Sequence, residues 1–139
     1  MSYQEKSTWG SGLITFIVYG YYLLAIEPQF RGVSIEGFGY ASTMLWAIMA
    51  YIVATIVLHI IISIISPSEA GQEDQRDRDI YRFGEYVGQY LSAFGAFVAL
   101  MMALAKWDYF WIANAIYLGF GAATFLSSIV KIVAYRRGL

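Results

Sequence analysis

"GQEDQRDRDIYRFGEYVGQY", residues Gly71–Tyr90, breaks a chain that is otherwise close to continuous hydrocarbon. Six charged residues fall between Glu73 and Asp79, and the stretch then runs directly into apolar sequence. If a helix begins near Asp74, Asp74 and Arg78 become i, i+4 partners and Arg82 reaches Asp79 or Glu85. Acidic side chains also suit a helix N-terminus, where the macrodipole is positive. The stretch therefore reads as the solvated start of a helix that continues into a membrane. Basic residues at the C-terminus, Arg136 and Arg137, are expected to meet Asp77 or Asp79 and clasp the last helix to this one.

Working outward, four apolar segments bounded by charge, Pro or Gly are expected as spans, about 12–27, 41–65, 86–105 and 109–134. The first is slightly short for a hydrocarbon core of about 30 Å at about 1.5 Å per residue, so flanking residues complete it. It is followed by "AIEPQ" rather than a small-x-small site, which reads as a retained span and not a leader. Only "KWD" separates the last two, which predicts an antiparallel helical hairpin. Composition agrees: 59% of residues are hydrophobic and 14% charged, against roughly 45–50% and about 25% in soluble domains. The fold class expected is an all-α membrane protein, a four-transmembrane-helix bundle forming a single domain over residues 1–139, with 66–85 as its charged cytoplasmic segment. The lipid bilayer is its first partner.

Seven of the nine Lys and Arg residues (Lys6, Arg76, Arg78, Arg82, Lys131, Arg136 and Arg137) fall on one side of such a bundle, and Arg31 and Lys106 on the other. Basic residues near span ends are retained in the cytoplasm, so both termini are expected there, and Ser34 outside. Trp46, Trp107, Tyr109, Phe110 and Trp111 at one boundary, and Trp9 and Tyr135 at the other, read as interfacial anchors.

Within the third span Gly84, Gly88, Ser92 and Ala96 recur every four residues, with Gly95, Ala99 and Ala103 extending the small face. Small residues let helices approach closely in lipid, so this face is a helix interface, within the chain or with a homodimer mate or other membrane protein. Gly119 and Gly121 of the fourth span are its expected partners in the hairpin.

Polar side chains inside spans mark packing or function, because hydrocarbon leaves them no water to bond. Thr55, His59 and Ser63 share one face of the second helix, and Gln89, Ser92, Thr124 and Ser128 lie at similar depth, with Thr15, Tyr90 and Ser127. This layer reads either as helix glue or as a small cavity around His59, the single histidine. Glu27, beside Pro28, reads as a helix boundary.

Other chemistries find little support. A chain without cysteine has no disulfide, thiolate metal site or thiol nucleophile, and one histidine makes no His-rich metal centre. No phosphate-binding glycine loop or dinucleotide fingerprint occurs. No cofactor or metal is expected, and the net charge of −1 argues against nucleic acid as partner. "DQRDRDI", Asp74–Ile80, followed by two spans and the terminal "YRRG", Tyr135–Gly138, resembles an uncharacterised family of small prokaryotic four-span membrane proteins. That family carries Asp-Glu-Arg-Asp before the third span and ends in Tyr-Arg-Arg-Gly; here Gln75 replaces the Glu. The resemblance covers about residues 72–138 and implies a prokaryotic cytoplasmic (inner) membrane, with no activity to carry over.

Two functions are compatible with this reading. One is a nonenzymatic interaction or regulatory subunit that docks a partner through the charged segment: Asp74, Arg76, Asp77, Arg78, Asp79, Arg82, Arg136 and Arg137. The other is a small transporter or channel component that uses the polar layer around His59.

Overall fold

A computed structural model of the chain describes residues 1–31 and 39–138. It contains four helices: α1 (Tyr3–Phe30), α2 (Tyr40–Ile65), α3 (Gln75–Leu104) and α4 (Tyr109–Arg137). All four are long and apolar enough to cross a membrane, and by that length and hydropathy this is a multi-pass membrane protein.

Two helices extend well beyond the expected apolar segments, each for a local reason. Ser2 caps α1, its Oγ accepting from the Glu5 amide at 3.2 Å. The Ser2-Tyr3-Gln4-Glu5 spacing is that of a capping box, a start signal that the apolar pattern alone overlooks. Asp74 caps α3, its Oδ1 accepting from the Asp77 amide at 2.7 Å. The charged stretch is thus the cap and first turns of α3. Between α3 and α4 the chain reverses through Lys106, at φ 58°, and Asp108 caps the next helix. Gly138 closes α4 at φ 73°, a left-handed geometry that glycine adopts without steric cost.

α1 and α4 form the centre of the bundle, with α2 packed on α1 and α3 on α4; no other helix pair packs extensively. α2 and α3 therefore flank the bundle without closing on each other. The α3–α4 contact is close because of small residues: a Cβ on Gly95 would lie 3.1 Å from the Gly119 Cα, and one on Gly88 3.2 Å from the Ala123 carbonyl. The buried face of α3 runs through Gly84, Gly88, the half-buried Ser92 and Gly95, and Ala99, while Ala96 and Ala103 are exposed. This corrects the expected four-residue repeat. With about 3.6 residues per turn, a strict i+4 series drifts around the helix, and by Ala96 it has left the interface. Gly121 likewise serves a different neighbour, the Tyr19 ring of α1, which a Cβ there would strike at 2.2 Å.

The half of the bundle nearest the α3–α4 turn is apolar and aromatic. Tyr22, Ile26, Ala47 and Tyr117 are buried together, Tyr19 stacks on Tyr117 at 4.5 Å between centroids, and Phe30 packs on Phe110 and Trp111. At its heart the Tyr22 hydroxyl donates to Asn114 Oδ1 at 2.6 Å, and Asn114 Nδ2 donates to the Phe110 carbonyl at 2.8 Å. The outer faces carry exposed Leu24, Trp46, Ile64 and Phe94, suited to contact with lipid.

Candidate functional site

The other half of the bundle, where both termini and the α2–α3 connection meet, is built differently. A cavity of about 670 Å³ opens among all four helices, lined by Gln4, Ser7, Thr8 and Ser11 of α1, Tyr51 and His59 of α2, Tyr81, Glu85, Gly88, Gln89 and Ser92 of α3, and Ala123, Thr124, Ser127, Ser128 and Lys131 of α4. Seven of these side chains are Ser or Thr hydroxyls. Tyr51 meets Tyr19 edge-on, which joins the cavity to the aromatic core beyond it.

An ion pair dominates its electrostatics. Lys131 Nζ donates to Glu85 Oε1 at 2.6 Å and sits 4.2 Å from the centre of the Tyr81 ring. Lys131 is buried while the Glu85 side chain is about half exposed at 53%, so the acid is the accessible partner. Ser127 Oγ also donates to Glu85 Oε1, at 3.4 Å. An ion removed from water must be paired and hydrogen-bonded, and here a neighbouring carboxylate and an aromatic face do this for Lys131.

His59 occupies the α1–α2 seam. Its Nδ1 is 2.8 Å from the Thr55 carbonyl oxygen, which only accepts, so Nδ1 carries a proton. In the neutral ring Nε2 then accepts from the Ser7 hydroxyl, 3.0 Å away. The helix backbone thereby selects the tautomer and aims Nε2 at α1. Of the expected polar layer, His59, Gln89, Ser92, Thr124 and Ser128 do line one cavity. Thr55 contributes its carbonyl to His59, while its hydroxyl is buried without a hydrogen-bond partner among the described residues. Ser63 pairs with the Tyr3 hydroxyl at 3.2 Å, and Tyr90 points outward.

The charged segment forms a second cluster at the mouth of the bundle. Asp77 is buried, and its Oδ1 accepts from Ser2 Oγ at 3.1 Å and from the Tyr135 hydroxyl at 2.8 Å. Arg76 donates to the Tyr135 carbonyl at 3.2 Å. Gln75 takes the place expected of acid–base pairing, donating to Asp79 and accepting from Arg78. A clasp between α3 and α4 is present, but its members differ from those expected: Tyr135, and not Arg136, meets Asp77. Arg136 instead lies over the Trp9 ring at 5.8 Å. Asp74 is engaged as a cap rather than with Arg78, and Glu85 pairs with Lys131 rather than Arg82, because Lys131 approaches it from the facing helix inside the bundle. Arg78, Asp79, Arg82 and Arg137 are exposed. Lys6 holds the N-terminus to the α2–α3 connection through Ser66 at 2.8 Å and Glu69 at 3.0 Å.

Lys131 and Glu85 are the principal residues that sequence reading missed as a site. Lys131 counted only toward topology and Glu85 only as a partner for Arg82. A signal was present: Thr124, Ser128 and Lys131 recur at i, i+4, i+7, as do Glu85, Gln89 and Ser92, and such spacing puts each set on one helix face. Among the described residues no three His, Asp or Glu side chains gather as metal ligands. No family model, curated protein or solved structure matches this chain.

Proposed function

We propose that this is a nonenzymatic membrane protein that binds a small polar solute in the cavity between its helices, as a compact transporter or a component of one. The observation that carries this reading is the cavity itself: side chains from all four helices converge on one polar space containing the Lys131–Glu85 pair. Ionisable groups inside a membrane bundle are costly and mark functional sites. The aromatic layer of Tyr19, Tyr22 and Tyr117 lies across the bundle beyond the cavity. That arrangement favours binding from one side over a continuous pore, and passage would require the layer to part.

The distribution of basic residues supports a cytoplasmic placement for both termini and the cavity mouth. The resemblance of "DQRD", Asp74–Asp77, and "YRRG", Tyr135–Gly138, to small prokaryotic four-span proteins supports the cytoplasmic membrane of a prokaryote. The alternative, a subunit that docks a partner through its charged segment, retains Arg78, Asp79, Arg82 and Arg137 as its surface, since Asp74, Arg76 and Asp77 are used within the chain.

The test is protection of a cysteine. The chain has no native cysteine, so Ser92→Cys in the purified protein gives one thiol in the cavity wall. Its labelling by a small water-soluble reagent is measured with panels of cations, anions, zwitterions and polyols. At least one class slows labelling, and reversing the charges of Arg78, Asp79 and Arg82 leaves that protection unchanged. An unaltered rate with every class overturns the binding reading.

A further inference from the structure

We infer that the Lys131–Glu85 pair receives a zwitterion, a molecule that carries an ammonium and an anionic oxygen close together, either as a free solute or as the headgroup of a phospholipid. This rests on the cavity being a binding site, and it names the chemical class that the site takes.

Charge balance favours a zwitterion. Lys131 and Glu85 are the two oppositely charged side chains of the cavity wall, and their charges cancel. A cation or an anion entering alone would leave an uncompensated charge in a space enclosed among the four helices, where desolvation is expensive. A molecule with both charges inserts without that cost, its ammonium meeting the carboxylate and its anionic oxygen meeting the lysine.

Both partners keep the capacity to do this. Glu85 uses Oε1 for Lys131 and Ser127, and Oε2 takes no hydrogen bond from the described residues. Its half exposure makes it the point of entry. Lys131 has three N–H donors and directs one at Glu85. The hydroxyls of Ser127, Ser128 and Thr124 on the same wall supply neutral donors and acceptors around the pair.

Depth and access favour the same class of ligand. Tyr81 and Glu85 immediately precede the apolar part of α3, and Ser7 and Ser11 precede that of α1, so the mouth of the cavity lies where the apolar segments begin, while Tyr51, Ser92 and Thr124 line its inner end. α2 and α3 both line it without packing extensively on each other. A lipid headgroup can therefore reach the pair from the side while its acyl chains remain among the apolar outer faces.

The full-length protein in mild detergent, followed by thermal melting and by protection of Ser92→Cys, tests this. The soluble probes are glycine, glycerophosphoethanolamine, choline, acetate and erythritol. The lipid arms are nanodiscs of phosphatidylglycerol with and without phosphatidylethanolamine. At least one zwitterion raises the melting temperature and slows labelling, whereas choline, acetate and erythritol do neither. Glu85→Gln and Lys131→Met each weaken the effect more than tenfold, and the exposed Arg82→Gln does not. Protection by glycine or glycerophosphoethanolamine identifies a free solute, and protection by phosphatidylethanolamine alone identifies a headgroup; both support the inference. Choline, acetate or erythritol binding as well as the zwitterions overturns it while leaving the cavity reading intact. No effect from any probe overturns both. The wild-type probe series decides the matter even if a variant fails to fold.

Discussion

Gly84 of α3 lies under the aliphatic stem of Lys131 on α4, so close that a methyl group on Gly84 would stand 2.4 Å from Lys131 Cγ. The stripe of small residues thus does two things along one helix. At Gly88 and Gly95 it admits the neighbouring backbone, and at Gly84 it makes room for a cation. Gly84→Ala forces the lysine stem to shift, with an expected packing penalty of about 1–3 kcal/mol. Gly20→Ala is the control, since nothing lies within 4 Å of a Cβ there. Thermal melting in detergent is expected to fall for the first and hold for the second.

Tyr22 and Asn114 join α1 to α4 in the aromatic half, and both are almost fully buried. Tyr22→Phe strands Asn114 Oδ1, which costs about 1–3 kcal/mol because no water replaces the lost donor. Adding Asn114→Leu to that background removes the orphaned group and is expected to recover part of the loss. A double-mutant cycle on unfolding free energy measures the coupling; strictly additive losses would show that the pair contributes nothing beyond its separate members.

The clasp at the termini is expected to respond to Tyr135 rather than to Arg136. Tyr135→Phe removes a donor from buried Asp77, a hydrogen bond to a charged group worth about 1.5–3 kcal/mol. Asp77→Arg is more damaging, and Arg136→Asp does not rescue it, because Arg136 is committed to the Trp9 ring. Recovery of the melting temperature in that double variant would contradict this assignment.

Gly95 and Ala96 are neighbours in sequence with opposite fates. Gly95→Leu drives a side chain into the Gly119 backbone, whereas Ala96→Leu adds bulk to an exposed face. The first is expected to disrupt the α3–α4 hairpin and the second to leave melting nearly unchanged. Equal melting temperatures would remove the distinction.

Topology is tested through single cysteines at exposed Ser68, Gly138 and Lys106. Ser34, expected on the same side as Lys106, lies outside the described residues. With an impermeant thiol reagent on intact cells, Lys106→Cys is expected to label and the other two to be shielded. Labelling of Ser68→Cys from outside reverses the proposed orientation.

Four helices, their order and their apolar character were legible in the sequence because each depends on local properties: hydropathy over a span, a charge or proline at its end, an Asp or Ser at its start. The "KWD" turn fixed α3 beside α4 for the same reason, since so short a link leaves no other neighbour. The pairing of side chains across helices was not legible. Glu85 and Lys131 are 46 positions apart, and whether Glu85 turns toward Arg82 on its own helix or Lys131 on the next depends on which face packing buries. Likewise Tyr135, rather than the charged Arg136 beside it, reaches Asp77, because the rotation of α4 about its axis points adjacent side chains about 100° apart. Hydrophobicity determined that the chain enters a membrane, while helix rotation and the close approach permitted by glycine decided which polar groups face one another inside it.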